Sequence, residues 1–234
     1  REVFMIFKEI KYDVKAVMQR DPAARNFLEV LLLYQGVHAL IFHRFAHRLY
    51  RKKHFFTARL ISQISRFITH IEIHPGAKIG RGILIDHGAG VVIGETAVVG
   101  DGCTIYQGVT LGGVGVKKGK RHPTLGKNVT VGAGAKILGS FEVGDNCKIA
   151  ANAVLLKPLA NDITVAGVPA KPIKIAGVAV EKKGVQCDLF NMEDNIEDLQ
   201  RRVELLEDIE KKLKRSNRSL LAGKRKRQTK LRRK

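Results

Sequence analysis

Between Ile73 and Leu156 a branched aliphatic residue returns every six positions. In the second half the period runs unbroken through Leu125, Val131, Ile137, Val143, Ile149 and Leu155, mostly followed by a small residue (Gly126, Gly132, Gly144, Ala150). The fourth place after each is small or apolar, at Val129, Ala135, Phe141, Cys147 and Ala153. The first half keeps the rule at Ile73, Ile79 and Ile85, slips by two residues, and resumes at Ile93, Val99, Ile105 and Leu111. A short fixed period sustained this long predicts a solenoid. Six residues hold one short strand and one turn: the aliphatic side chain points inward and the small residue tolerates the corner. One hexapeptide cannot bury its own apolar face, so each strand is expected to stack on its equivalents in adjacent coils.

Residues 1–70 follow a helical rhythm instead. Phe4, Phe7, Ile10, Val14 and Val17 recur at three- and four-residue spacing. Asp21-Pro22 predicts a stop followed at once by a new helix with Pro in its first turn. An apolar stretch from Phe27 to Tyr34, an amphipathic run from Val37 to Tyr50 and a last helix over roughly 56–69 complete this part. These helices are expected to cap one open end of the solenoid, which otherwise exposes strand edges and core. His43 and His47 lie four apart, as metal ligands can, but Arg44 stands where the HExxH motif needs Glu; they read as helix-face histidines.

The ladder is interrupted by GGVGVKKGKRHPT, from Gly112 to Thr124, which has the composition of an exposed binding loop. Pro123 restricts the backbone where Arg121 and His122 re-enter the wall. After Val165, AGVPAKPIK closes the ladder and residues 176–190 read as a linker. Ile196, Leu199, Val203, Leu206 and Leu213 then keep a heptad rhythm that predicts a helix, with a coiled coil as one option. The division is 1–70 helical, 71–175 solenoid, and 176–234 linker, helix and basic tail.

The net charge of +20 invites a nucleic-acid reading, yet residues 211–234 hold thirteen Lys or Arg and no acid, so most of the excess sits in the tail. No aromatic residues interleave with it for base stacking, which leaves a solvated basic tail and argues against nucleic acid as a partner. Cys103, Cys147 and Cys187 make neither a disulfide framework nor a metal-finger spacing. Two of them occupy the small-residue place of the repeat, as buried thiols do in a reducing cytoplasm. No apolar run approaches the roughly 20 residues that span a bilayer. The chain opens on Arg1, and targeting is not read from that end.

The stretch IEIHPGAKIGRGILIDHGAGVVIGETAVVG from Ile71, QGVTLGG from Gln107, the RHP at 121–123, GVPAKP from Gly167, RDPAA from Arg20 and LLLYQGVHAL from Leu31 stand together in one chain. In combination they resemble the serine O-acetyltransferases, within the hexapeptide-repeat acyltransferases, over roughly residues 5–175. The resemblance implies an α+β fold: an N-terminal α-helical domain, then a left-handed parallel β-helix, followed here by the helical and basic tail. It implies acetyl transfer from acetyl-CoA to the hydroxyl of L-serine, giving O-acetyl-L-serine for cysteine biosynthesis in the cytoplasm, with no permanently bound cofactor and no metal. A serine hydroxyl is a poor nucleophile, so a base must take its proton. His87 matches the family's catalytic histidine, and an imidazole suits the task. Glu72 matches the carboxylate that orients it, where many members carry Asp. Glu72 and His87 are fifteen residues apart, close to one expected coil, which would stack them as neighbours.

By the same resemblance Arg121, a planar fork, and His122 hold the serine carboxylate. Asp86 and Asp21 face its ammonium. Gly113, Ala133 and Ala151 offer backbone groups to acetyl-CoA, with the Gly113 amide placed for the oxyanion, and Lys148 and Lys171 are candidates for the nucleotide phosphates. Sites between neighbouring solenoids imply a homotrimer, and about seventy residues ahead of the ladder favour it over a hexamer. L-cysteine is implied as a feedback inhibitor. Members also dock a C-terminal Ile into O-acetylserine sulfhydrylase, whereas this sequence ends at Lys234.

Two alternatives keep the solenoid. One is a hexapeptide O-acetyltransferase for a sugar or antibiotic, which lacks the RDPAA helical part. The other is a gamma-class carbonic anhydrase, for which His74, His87 and His122 would be the zinc ligands. A scaffold or RNA-binding role rests on the basic tail alone.

Overall fold

The computed structural model describes residues 2–115 and 118–180, together with Val203, and side chains from Ile6 onward. Four helices come first: α1 (Glu2–Arg20), α2 (Phe27–Leu33), α3 (Gln35–Arg51) and α4 (Phe55–Thr69). Five coils follow. The first is β1 (Glu72–Ile73), β2 (Lys78–Ile79) and β3 (Leu84–Asp86); the second is β4 (Val92–Ile93), β5 (Val98–Val99) and β6 (Thr104–Tyr106). The third is β7 (Thr110–Gly112), β8 (Thr124–Leu125) and β9 (Thr130–Val131), and the fourth is β10 (Lys136–Leu138), β11 (Glu142–Val143) and β12 (Lys148–Ile149). In the fifth, β13 (Val154–Leu155) leads through a bridge at Leu159 to β14 (Ile163–Ala166), and β15 (Lys171–Ile175) and β16 (Val178–Ala179) fold back beside it.

The strands form three parallel faces. The first face is β1-β4-β7-β10-β13, the second β2-β5-β8-β11, and the third β3-β6-β9-β12-β14, to which β15 and β16 add antiparallel. Register explains the six-residue clock. Ile73 stacks on Ile93 and Leu111, and Ile85 on Ile105 and Val131. Each coil thus adds equivalent aliphatic side chains to one continuous core in which Ile93, Ile105, Leu111, Leu125 and Ile137 are buried. Every such side chain contributes about 1.5–3 kcal/mol on leaving water. Cys103 and Cys147 are buried and free at the small-residue place, and burial pushes the Cys103 thiol up to about 11.

The helices close the end at the first coil, as the pattern leads one to expect. Asp13 of α1 and Arg44 of α3, both buried, pair at 2.7 Å. Arg44 also donates to the Gly80 carbonyl at 2.9 Å, and Asp13 accepts from the Ile83 amide at 3.2 Å. From α4, Ser62 donates to the Ile73 carbonyl at 2.9 Å. Backbone groups of Ile73, Gly80 and Ile83 in the first coil are thus satisfied by helix side chains.

Four expectations need correction. Phe7 is 62% exposed, so α1 buries Ile6, Ile10, Val14 and Val17 and not the Phe7 position. Asp21-Pro22 ends α1 without starting the next helix; α2 begins at Phe27, where the Asn26 side chain accepts from the Glu29 amide. β16 lies inside the segment read as a linker, paired to β15 through Ile175 and Val178. One coil is longer than the spacing of Glu72 and His87, because corners of varying length separate the strands. Glu72 stacks on Val92, twenty residues on, and Lys136 on Val154, eighteen on. The heptad segment, apart from Val203, and the basic tail lie outside the described residues.

Candidate active site

Arg20, the last residue of α1, crosses to the solenoid and donates to the carbonyls of Gly82 and Gly102 and to Thr104 Oγ1, the latter two at 2.7 and 2.8 Å. That anchor fixes the turn that follows. Asp21 accepts from the Ala23 amide at 2.8 Å through Oδ1 and from the Tyr34 hydroxyl at 2.7 Å through Oδ2. At the start of α3, Gly36 lies directly on β3: a Cβ there would sit 2.2 Å from the Ile85 carbonyl oxygen. This close approach joins the helical part to the wall. An open pocket of about 500 Å³ results, lined by Asp21, Tyr34, Gln35, Gly36, Asp86 and His87 among others.

His87 occupies the corner between the third and first faces with φ at 56°, the left-handed corner conformation that Asn128, Asn146 and Asn152 also adopt in later coils. Its side chain is 75% exposed, and its Nε2 lies 3.9 Å from Asp86 Oδ1. Three of the predicted residues, Asp21, Asp86 and His87, thus meet in one pocket. Glu72 does not complete a dyad in this chain. Its carboxylate pairs with Arg59 at 3.1 Å and Arg66 at 3.4 Å, both on α4. Stacking does not bring it to His87, because its register partner is Val92.

Arg121 and His122 stand at the other edge of the first face, at the return of the long loop. Arg121 pairs with Glu95 at 2.6 Å, and Tyr50 of α3 donates to the same carboxylate at 3.1 Å. The Arg121 bond holds the Glu95 carboxyl below its ordinary range despite partial burial. The buried His122 accepts through Nδ1 from the Thr96 amide at 3.2 Å, and its Nδ1 lies 2.8 Å from Thr96 Oγ1. Burial, reinforced by Arg121, lowers the His122 imidazole. Lys120 clamps the base of the loop by donating to the Thr96 carbonyl and to Thr124 Oγ1, each at 2.8 Å.

The residues predicted to meet acetyl-CoA are divided in the same way. Ala133 and Ala151 occupy successive corners between the third and first faces, joined where the Asn152 amide donates to the Ala133 carbonyl at 2.8 Å. Lys148 and Lys171 are exposed on the third face, in β12 and β15. Gly113 lies beside Arg121 on the loop side, where a Cβ would come 3.0 Å from the Arg121 side chain. His74, His87 and His122 occupy three separate corners, and no cluster of three or more His, Cys, Asp or Glu that could hold a metal occurs among the described residues. Sequence reasoning passed over Tyr34, Gln35, Glu95 and Thr96. A phenol interrupting LLLYQG between two helices, and a Glu-Thr pair at a corner otherwise built from small residues, are the signals that mark them.

Residues 2–41 match the family described as Serine acetyltransferase, N-terminal, and residues 122–157 match Bacterial transferase hexapeptide (six repeats). The match over the helices is what the sugar, antibiotic and carbonic anhydrase readings lack. A serine acetyltransferase of Helicobacter pylori is 61% identical over 165 residues, 70% of this chain and 96% of that protein. The solved serine acetyltransferase of Neisseria gonorrhoeae in complex with serine superposes with a TM-score of 0.71 at 42% identity, covering 73% of this chain and 70% of that one. That of Brucella abortus in complex with coenzyme A gives 0.71 at 45% identity, covering 72% and 68%. With helices leading into a left-handed parallel β-helix and this identity over the helices and coils, the chain belongs to the serine acetyltransferase family.

Proposed function

We propose that the chain transfers acetyl from acetyl-CoA to L-serine at a site shared by two subunits of a homotrimer in the cytoplasm, one giving the Asp21–Asp86–His87 pocket and its neighbour giving Arg121 and His122. The observation that carries this reading is the convergence of two carboxylates and an imidazole in one pocket. The two carboxylates suit the serine ammonium, and the exposed imidazole suits its hydroxyl. The groups suited to the carboxylate lie across the first face of the same solenoid, so a second copy is needed to bring them together.

His87 takes the hydroxyl proton as the serine oxygen attacks the thioester carbonyl. The carbon–sulfur bond then breaks, and the imidazolium returns the proton to the CoA sulfur. The Gly113 amide and the backbone at Ala133 and Ala151 take the acyl oxygen and the pantetheine arm, and Lys148 and Lys171 take the phosphates. Glu72 is proposed as the orienting carboxylate from the family pattern alone, since Arg59 and Arg66 hold it here. L-cysteine carries the same carboxylate and ammonium as serine and competes for the same groups as a feedback inhibitor.

Co-expression tests the shared site. His87→Ala and Arg121→Ala are each expected to be inactive in serine-dependent thiol release, whereas mixed trimers recover activity because about a quarter of the sites draw both intact halves. No recovery from mixed trimers would place both halves on one chain.

A further inference from the structure

Resting on the reading of Arg121 and His122 as the carboxylate-holding pair, we propose that Gly94–Glu95–Thr96 is the positioning element of that pair, and that Thr96 sets His122 as the Nε2–H tautomer. His122 is then a neutral hydrogen-bond donor to substrate, and neither a base nor a cation.

A backbone amide can only donate, and the Thr96 amide lies 3.2 Å from His122 Nδ1, so Nδ1 must accept. The Thr96 hydroxyl gives the same answer independently. Its oxygen accepts from the Arg121 amide at 3.0 Å and the His122 amide at 3.1 Å, which uses both lone pairs. Its one hydrogen is left for His122 Nδ1, 2.8 Å away. Two donors on Nδ1 exclude a proton there, and the ring proton resides on Nε2. Nε2 makes no hydrogen bond among the described residues, so that donor stays available.

The flanking residues serve the same pair. Gly94 lies beneath the ring, where a Cβ would fall 2.0 Å from His122 Cδ2 and Nε2, so only glycine lets the imidazole lie down on this corner. Glu95 holds one nitrogen of Arg121 at 2.6 Å and leaves the rest of the guanidinium fork open. The loop return is thereby held by the corner of the coil beneath it.

The test uses the full chain with ring-¹⁵N-histidine, the His122 signals being assigned by their loss in His122→Gln. Nδ1 without hydrogen and Nε2 with hydrogen is expected; a wild-type His122 protonated at Nδ1 overturns the proposal. Thr96→Val should raise the serine KM about tenfold, the worth of the one hydrogen bond from His122 to substrate, with kcat and the acetyl-CoA KM changed less than threefold. Thr96→Ser should restore the serine KM, and a Thr96→Val enzyme with wild-type serine KM overturns the positioning role of the Thr96 hydroxyl, while the spectrum decides the tautomer. If Thr96→Val fails to fold, the wild-type spectrum and the Thr96→Ser kinetics still decide. If the chain has no serine-dependent turnover, the proposed function fails while the spectrum still decides the tautomer.

Discussion

The Tyr34 hydroxyl donates to Asp21 Oδ2 at 2.7 Å, across the gap between two helices and at the mouth of the pocket that contains His87. Burial and that hydrogen bond push the Tyr34 phenol up to about 12, so it remains a donor throughout the neutral range. The contact turns a carboxylate that a local reading assigns to a turn into an oriented one, with its other oxygen fixed by the Ala23 amide.

Tyr34→Phe removes the donor without changing the ring. The serine KM is expected to rise about five- to tenfold, the worth of one hydrogen bond to a charged group, with kcat and the acetyl-CoA KM near wild type. Steady-state kinetics with each substrate varied checks this, and an unchanged serine KM would remove Asp21 from the ammonium site.

Gly36→Ala places a methyl group 2.2 Å from the Ile85 carbonyl oxygen. Backbone cannot yield as a side chain can, so α3 must move off β3. A destabilisation of about 1–3 kcal/mol is expected, together with weaker serine binding, because the same approach sets the distance between Tyr34 and Asp86. Urea unfolding and serine titration measure the two effects.

In the core, Leu111 stacks between Ile93 and Ile137 with no exposed surface. Leu111→Ala should cost about 2–5 kcal/mol, read as a shift of the unfolding midpoint without a change in slope. Residual activity below the new midpoint would show that the corner geometry survives the loss.

His43 supplies the pH prediction. It is buried on α3, its Nδ1 has no partner, and burial followed by the nearby His47 and Arg44 lowers its pKa to about 3. An unfolded histidine titrates near about 6.5. Because the folded value is the depressed one, the contribution of His43 is fully present above the unfolded value and is lost as pH falls from there towards 3. Unfolding free energy should fall by roughly 1 kcal/mol per pH unit on that account. His43→Leu should flatten the profile between pH 6 and 4 relative to wild type; equal slopes would contradict it.

The sequence was most legible where one residue answers to one physical demand. Ile73, Ile93 and Leu111 keep the period because each must fill the same place in a stacked core, and the six-residue clock needed no tertiary knowledge. Asp21, Asp86 and His87 were named through the family pattern, and all three line one pocket. Side-chain partnership was harder to read. Glu72 stands in the expected place but faces two arginines of α4, because the helices that cap the first coil bring their own charges to it. Phe7 fits the helical rhythm yet is exposed, since periodicity gives the face of a helix and not the width of what covers it. Thr96 carries only the faint signal of a polar pair at a corner of small residues, and its role shows once the loop is folded back onto it, because its partners lie twenty-five and twenty-six residues away.

Acetyl transfer to serine turns on His87 as the base. Thiol release from acetyl-CoA, with and without L-serine, for wild type and His87→Ala and corrected for the protein's own cysteines, measures it. Serine-dependent release that falls at least a hundredfold in His87→Ala, with the fold intact, is the expected result. Serine-dependent release that persists in the variant, or that is absent from the folded wild-type protein, would contradict it.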